Sequence, residues 1–268
     1  MNEILFSKMA ASGNDFVVVD NRRKIIRNAK FFAQKICRRH FSVGADGVLL
    51  LEKSKKAAFR MRILNADGSE AEACGNGFRC VSLFAHRKLR YPKRFKFESL
   101  AGVIEARMKG ERICVELPDP SHLKRDRKLR VLGRSFAYDF VNTGVPHVVV
   151  LVRHVNGVDV ERFGRAIRYH RHFKSKGANV NFVQPVGRHR LRVRTYERGV
   201  EAETLACGTG STASAVIGGL KGIVSSPVQI QTRGGEILTI RYQCSTRGIS
   251  NVSLEGEANF VYEGVFQF

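Results

Sequence analysis

Two segments of this sequence place a cysteine directly before a Gly-x-Gly turn. Cys74 begins Cys-Gly-Asn-Gly and Cys207 begins Cys-Gly-Thr-Gly, and each has a Glu-Ala-Glu stretch upstream. A helix-compatible run follows each turn, from Phe78 to Leu89 and from Ser211 to Leu220. The spacing therefore predicts a cysteine at the N-terminus of two helices, where unpaired N–H groups and the helix dipole favour a thiolate and bind anions.

A single Cys-Gly pair near a helix start is more often packing than chemistry, because cysteine is among the most buried residue types. The duplication favours chemistry. Glycines in both turns let the backbone approach a ligand closely. Two such sites can present two activated sulfurs to one small acidic molecule.

The chemistry that this arrangement favours is proton transfer at the α-carbon of an amino acid. Backbone N–H groups of Gly75, Asn76, Gly208 and Thr209 would bind the carboxylate and stabilise the charge that moves onto it as the α-proton leaves. One cysteine would remove the proton from one face and the other would deliver a proton to the opposite face. A free thiol titrates near pH ~8.5, so a helix N-terminus can poise one sulfur as base and one as acid. This scheme requires neither a metal nor pyridoxal phosphate.

Composition is typical of a globular protein. The 268 residues, 43% of them hydrophobic, can bury the core of one large domain or two smaller ones. The sequence has no apolar run of the roughly 18 to 20 residues that span a bilayer and no apparent signal peptide, which predicts a cytoplasmic protein. The six cysteines form no zinc-like spacing, so we expect neither structural zinc nor disulfides. Four of them are interpreted as small hydrophobic residues: Cys37, Cys80, Cys114 and Cys244.

The formal net charge of +22 makes nucleic-acid binding a serious alternative. The basic residues are dispersed along the chain, however, without an RNP motif, a zinc finger or a long basic helix. Dispersed basic residues usually form a solvated surface with non-specific affinity for polyanions. We therefore expect no specific nucleic-acid partner.

Hydrophobic patterning predicts an α+β fold of two similar domains. Each domain is expected to be a mostly antiparallel sheet wrapped around a central helix, with the active site in the cleft between them. The predicted helices cover residues 29–40, 78–89, 160–170 and 211–220, and the clearest strands cover residues 16–20, 47–52, 59–64, 113–117, 147–152, 180–183, 191–196, 228–232, 237–241 and 252–255. Pro118-Asp-Pro120 is the best linker. This gives an N-terminal domain of residues 1–118, completed by 262–268, and a C-terminal domain of residues 119–261.

Six segments, in order between about residues 6 and 212, resemble the diaminopimelate epimerases. They are Lys8–Asp20, Gly44–Gly47, Asn65–Cys80, Gly144–His147, Gly177–Val183 and Tyr196–Gly210. The resemblance implies conversion of LL-2,6-diaminopimelate to the meso form, in lysine and peptidoglycan-precursor synthesis, by a cofactor-independent two-base mechanism.

The resemblance also implies roles for individual residues. Cys74 and Cys207 match the acid/base pair of that family, and His147 and Glu197 match residues that tune the sulfurs. The substrate-binding positions are matched by Asn14, Asn65, Asn179, Glu197 and Arg198, and the carboxylate-binding turns by Gly75-Asn76 and Gly208-Thr209. The expected partner is a small amino-acid substrate, and a homodimer is the candidate assembly.

The sequence departs from the family pattern at two places. Ala10-Ala11 stands where the family often has His-Gly, and Val145 stands where an asparagine usually precedes the Pro-His pair. The second change removes an amide expected near the distal end of the substrate. We therefore expect weaker rejection of shorter acidic amino acids such as glutamate.

Three alternatives remain open. A broader amino-acid racemase would share the architecture, although Asn65–Gly68 and Tyr196–Gly199 favour the epimerase. A thiol hydrolase would use one cysteine with a histidine base and would leave the second Cys-Gly-x-Gly unexplained. A nucleic-acid-binding protein would keep its affinity after loss of both cysteines and lose it steeply with salt.

Overall fold

The computed structural model describes residues 3–173, 177–246 and 248–268. The chain divides into two compact units, Met1–Glu116 with Gly256–Phe268, and Leu117–Glu255. Each unit contains a mostly antiparallel sheet and two helices, which confirms the α+β class and the two similar domains.

The described residues of the first unit form nine strands and two α-helices. Its strands are β1 (Glu3–Ala11), β2 (Asn14–Asp20), β3 (Gly47–Glu52), β4 (Arg60–Asn65), β5 (Glu70–Ala71), β6 (Arg94–Ser99), β7 (Gly102–Lys109), β8 (Arg112–Glu116) and the last strand of the chain, β18 (Asn259–Gln267). Its helices are α1 (Ala29–Ile36) and α2 (Gly75–Leu89).

The described residues of the second unit also form nine strands and two α-helices. Its strands are β9 (Ser121–Val131), β10 (Arg134–Asn142), β11 (Pro146–Leu151), β12 (Asn179–Gly187), β13 (Arg190–Glu197), β14 (Ala202–Thr204), β15 (Val228–Gln231), β16 (Ile237–Ser245) and β17 (Gly248–Glu257). Its helices are α3 (Val160–Arg168) and α4 (Gly208–Leu220), and short 3₁₀ helices cover Val155–Gly157 and Arg171–Phe173.

The strands of the two units pair in the same succession. In the first unit the β1–β2 hairpin is extended by parallel β3, β4 pairs with β3, β5 and β6, and β6–β7–β8 form a meander. In the second unit β10–β11, β12, β13, β14 and β15–β16–β17 repeat these pairings in the same directions. Strand β18 pairs with β1 as β9 pairs with β10. The chain is therefore an internal duplication in which α2 and α4 are equivalent.

Helices cover both faces of each sheet. Val48 and Leu50 of β3 pack in the core cluster that contains Phe32 of α1. A Cβ built on Gly77 of α2 would lie 3.2 Å from the side chain of Leu49, which is the alternate residue of β3. Alternate side chains of a strand point to opposite faces, so α1 and α2 lie on opposite sides of the sheet. Helices α2 and α4 are buried around most of their surface over their first eleven residues.

Some sequence predictions differ from the structure. Helix α1 ends at Ile36 rather than at residue 40, and α2 and α4 begin at Gly75 and Gly208, three residues before the predicted starts. Cys244, which was interpreted as an ordinary small hydrophobic residue, is exposed on β16 and so does not pack as one. Cys37, Cys80 and Cys114 are buried as predicted.

Candidate active site

Cys74 is the N-cap residue of α2, in extended backbone with φ −148° and ψ 109°. Its Sγ accepts a hydrogen bond from the N–H of Gly77, with 3.4 Å between nitrogen and sulfur. A side chain that accepts from the third helical residue satisfies one of the free N–H groups of the first turn. The half-buried sulfur therefore lies at the positive end of the helix dipole.

A polar cluster lies beside this helix start. Asn76 is 2% exposed, and its amide Nδ2 donates to Oδ1 of Asn14 over 2.6 Å. Asn14 in turn donates from Nδ2 to Oδ2 of Asp46 over 3.1 Å. Two predicted substrate-binding residues are thus in direct contact, at the start of β2 and in the first turn of α2.

Asn65 ends β4, in the turn that leads toward Cys74. Its Nδ2 donates to the hydroxyl of Ser69 over 2.9 Å. It is paired in the sheet with Gly47, where a Cβ would lie 2.6 Å from the carbonyl oxygen of Leu64. Only glycine therefore fits at position 47 without backbone movement.

Cys207 is the N-cap of α4, with φ −124° and ψ 112°. It is 6% exposed, and its Sγ lies 3.5 Å from the hydroxyl of Thr209. The carbonyl of Thr209 accepts from the hydroxyl of Thr143 over 3.0 Å, which ties the helix start to the turn between β10 and β11. The second sulfur thus repeats the position of the first in a more buried setting.

His147 is fully buried on β11. Nδ2 of Asn181 lies 3.1 Å from Nδ1 of His147, and Oδ1 of Asn181 accepts from the hydroxyl of Thr195, which leaves Nδ2 as the donor. The network therefore assigns the proton of the neutral ring to Nε2. Burial, with a smaller contribution from the charge of Arg198, lowers the pKa of His147 to about 3. Its Nε2 is buried without a hydrogen-bond partner among the described residues, which leaves a donor directed at no protein group.

Strand β13 ends at Glu197, and Arg198 follows it in the next turn. The backbone N–H of Arg198 donates to Oδ1 of Asn179 over 2.7 Å, and the hydroxyl of Thr204 donates to Oε2 of Glu197 over 2.9 Å. Asn179 also pairs with His147 across parallel strands β11 and β12. Four predicted site residues of the second unit therefore lie at one edge of its sheet, where β11 and β12 begin and β13 ends. They are His147, Asn179, Glu197 and Arg198.

Several polar residues of these networks were not among the predicted site residues. Asp46, Arg79 and Asn181 lie inside the segments that resemble the family, which is the one signal that could have marked them. Their contacts join residues far apart in the sequence, and spacing alone does not predict such contacts. Among residues 3–173, 177–246 and 248–268, no three His, Cys, Asp or Glu side chains are grouped as a metal site would require.

Comparison with known proteins identifies the family. The family model of diaminopimelate epimerase matches residues 6–122 and 140–261. The chain belongs to the diaminopimelate epimerase family. Diaminopimelate epimerase of Hydrogenobaculum sp. (strain Y04AAS1) is 45% identical over 99% of both chains. That of Aquifex aeolicus (strain VF5) is 44% identical over 97% of this chain and 96% of its own.

Solved structures with low sequence identity share the fold. A phenazine biosynthesis protein of the PhzF family from Bacillus anthracis has a TM-score of 0.77 at 17% identity, over 100% of both chains. A hydroxyproline epimerase from Agrobacterium vitis has a TM-score of 0.75 at 15% identity, over 99% of this chain and 91% of its own. The diaminopimelate epimerase family thus uses an architecture found in proteins with other names. Across the described ranges, none of the helices is both long and apolar enough to pass through a membrane.

Proposed function

We propose that this protein interconverts LL-2,6-diaminopimelate and meso-diaminopimelate, using Cys74 and Cys207 as its two acid/base groups and no pyridoxal phosphate. The reaction would serve the formation of lysine and peptidoglycan precursors. The observation that carries the proposal is that both copies of a duplicated fold begin the central helix directly after a cysteine. Membership of the diaminopimelate epimerase family supports the choice of substrate.

The two helix starts supply groups suited to an α-carboxylate. The N–H groups of Gly75, Asn76, Gly208 and Thr209 belong to first turns, where backbone donors have no partner within the helix. As the α-proton leaves, negative charge moves from the α-carbon onto the carboxylate. Fixed donors stabilise this charge more in the transition state than in the substrate, and this difference accelerates the reaction.

Two sulfurs are needed because the configuration inverts. In one direction a thiolate takes the α-proton as the C–H electron pair moves toward the carboxylate, and a thiol on the opposite face gives its proton to the same carbon. The first sulfur ends as thiol and the second as thiolate, so the reverse reaction starts from the product state. The mechanism requires both sulfurs to reach one carbon when substrate is bound. The pair is expected to titrate as a coupled unit.

The remaining residues would orient the substrate. Arg198 suits the distal carboxylate, because a guanidinium can donate two parallel hydrogen bonds. Asn14, Asn65, Asn179 and Glu197 would contact the distal amino and carboxyl groups. Neutral His147 would donate from Nε2 without adding a charge. We expect the enzyme to work in the cytoplasm, since that compartment keeps thiols reduced.

The test is proton NMR of LL-diaminopimelate with the purified protein in deuterium oxide, without added cofactor. We expect deuterium at one α-carbon together with formation of the meso isomer. Exchange without inversion, or neither reaction, would contradict the proposed function.

Cys74→Ala and Cys207→Ala should each lower the rate of epimerisation by at least about 10²–10⁴-fold, because neither sulfur can substitute for the other. The matched control is Cys244→Ala, which removes an exposed thiol of the second unit and should leave the rate unchanged. Near-normal activity in either single variant at position 74 or 207 would exclude the two-base mechanism.

A further inference from the structure

A one-way chain of hydrogen bonds crosses the first unit below the start of α2. An Nη2 of Arg79 donates to Oδ1 of Asn76 over 3.0 Å, Nδ2 of Asn76 donates to Oδ1 of Asn14, and Nδ2 of Asn14 donates to Oδ2 of Asp46. A cation stands at one end and a carboxylate at the other. Each asparagine accepts on its oxygen and donates from its nitrogen in the same direction.

The two charged ends decide how the amides are turned. Arg79 has donors only, so Asn76 must present its oxygen to it. Both carboxylate oxygens of Asp46 already accept hydrogen bonds, from the N–H of Asp15 and from Arg39, so Asn14 must present its nitrogen. With both ends fixed, the reversed orientation of either amide would oppose two donors or two acceptors. This series of hydrogen bonds therefore determines which atoms of Asn14 and Asn76 remain available to a bound molecule.

The guanidinium end is held rigidly. Arg79 is fully buried, and its Nε donates to the carbonyl of Glu257 over 3.0 Å. Its Nη1 donates to the carbonyl of Gly75 over 3.4 Å, and its Nη2 also donates to the hydroxyl of Ser12. This buried cation lies under the first turn of α2.

At the carboxylate end, Asp46 and Asp15 are joined by two reciprocal hydrogen bonds. Oδ2 of Asp46 accepts from the backbone N–H of Asp15 over 3.2 Å, and Oδ1 of Asp15 accepts from the backbone N–H of Asp46 over 3.0 Å. Arg39 donates to both carboxylates, over 2.8 Å and 2.9 Å, and Lys8 pairs with Asp15 over 2.7 Å. Burial alone would raise the pKa of Asp15, but hydrogen bonds and charge from Lys8 and Arg39 outweigh it and lower that pKa. Asp15 is therefore ionised near neutral pH, and its charge is balanced by Lys8 and Arg39.

We propose that Asp46 is a positioning residue for substrate recognition, which acts through Asn14 by fixing the orientation of its amide. This inference rests on the proposed function, in which Asn14 contacts the substrate. Asp46 itself needs no contact with substrate. A hydrogen bond to a group whose charge does not change in the reaction is made equally in ground and transition states, so its loss raises KM more than it lowers kcat.

The experiment measures kcat and KM for diaminopimelate in Asp46→Ala, Asn14→Ala and the double variant. Asp46→Ala removes the acceptor and lets the Asn14 amide turn, so we expect KM to rise about tenfold with kcat changed by less than about threefold. In the Asn14→Ala background the same change at position 46 should raise KM by less than about twofold, because the group on which it acts is gone. An equal tenfold effect in both backgrounds would overturn the proposal.

Two further variants separate positioning from general damage to the fold. Asp46→Asn keeps one acceptor oxygen and should give a KM between those of the wild type and Asp46→Ala. The matched control is Asp20→Ala, which removes a carboxylate ion-paired with Arg22 at the other end of β2 and should leave KM unchanged. A KM increase in Asp20→Ala equal to that in Asp46→Ala would overturn the proposal.

A readout without turnover distinguishes this inference from the proposed function. In ¹⁵N NMR, the side-chain amide signals of Asn14 and Asn76 should shift in Asp46→Ala and stay unchanged in Asp20→Ala. If the wild type fails to epimerise diaminopimelate while these signals shift as expected, the proposed function is wrong and the hydrogen-bond chain stands. If the wild type is active and the signals do not respond, the positioning role is wrong.

Discussion

At the scale of single residues, the duplication places Val145 where the first unit has Asn14. Ser12-Gly13-Asn14 leads into β2, and Thr143-Gly144-Val145 leads into the equivalent β11. Both glycines have positive φ, 85° at Gly13 and 102° at Gly144. Asn14 belongs to the chain of hydrogen bonds that ends at Asp46. The half-buried side chain of Val145 can offer only apolar surface at the equivalent position. The two copies therefore have different side-chain chemistry at this position.

This difference predicts a slow glutamate racemase activity. A site that hydrogen-bonds a substrate group rejects an analogue lacking that group strongly, because its own polar atoms are left unpaired. Valine at position 145 leaves nothing unpaired, so glutamate should be rejected less strongly than with asparagine there. D-Glutamate formed from L-glutamate should fall in Val145→Asn and stay unchanged in the control Val186→Asn. Equal rates in all three proteins, or no D-glutamate at all, would show that position 145 does not control selectivity.

His147 should remain neutral throughout the working pH range. Its pKa of about 3 in the folded protein lies far below the ordinary value near 6.5. As the pH falls from about 6.5 toward 3, the unfolded chain binds a proton that the folded protein does not, so wild-type stability decreases in that window. Between pH 6.5 and 4.5, the free energy of unfolding measured with denaturant should fall less in His147→Gln than in wild type. The control His154→Gln should behave like wild type. A ¹⁵N spectrum showing a ring protonated on both nitrogens at pH 6 would contradict this assignment.

At the scale of elements, the equivalent helices α2 and α4 meet their sheets through glycines with different neighbours. A Cβ at Gly77 would lie 3.2 Å from the side-chain ends of Leu49 and Met61, which are flexible. A Cβ at Gly210 would lie 2.2 Å from Oδ1 of Asn181, an oxygen already held by Thr195. The polar contact beneath α4 is therefore less able to adapt than the apolar contact beneath α2.

Alanine substitution should reveal this difference. Gly210→Ala should lower the free energy of unfolding by about 1–3 kcal/mol, as overpacking does in a fixed site, and should shift the ¹⁵N signals of His147 because Asn181 must move. Gly77→Ala should lower the free energy of unfolding by a smaller amount. Gly157→Ala, where a Cβ would meet open space, is the control for adding a methyl group to the second unit. Equal losses at positions 77 and 210 would refute this account of the helix contacts.

The sequence predicts the elements better than their ends. Helical patterning located α1, α2, α3 and α4, but glycine is a poor helix former, so the predicted runs of α2 and α4 began three residues late, at Phe78 and Ser211. Strands β6, β7, β9 and β10 were not among the predicted strands. The residues of β9 are mostly charged, and only pairing with β10 makes this segment a strand. The two cysteines were recognisable because their motif repeats. Asp46 and Arg79 were not, since their roles depend on contacts between distant segments.

For the molecule as a whole, the net positive charge does not contribute to the proposed epimerisation. Diaminopimelate carries two ammonium and two carboxylate groups near neutral pH, so it is a zwitterion without net charge. A protein with a formal net charge of +22 gains little long-range attraction for such a substrate. The same charge attracts polyanions without sequence preference, and that attraction weakens steeply with salt. Added salt should therefore weaken polyanion binding without slowing the turnover of diaminopimelate.

The prediction is that retention on heparin or duplex DNA is lost between 50 and 200 mM salt (about 10³–10⁵-fold in affinity if some 6–10 contacts form). Over the same range, kcat/KM for diaminopimelate should change by less than about twofold. Double-alanine replacement of Cys74 and Cys207 should abolish turnover and leave polyanion retention unchanged, because the basic residues stay in place. Salt-resistant, sequence-selective DNA binding would instead favour a nucleic-acid function. A kcat/KM that falls with salt as steeply as retention would mean that the basic surface takes part in substrate capture.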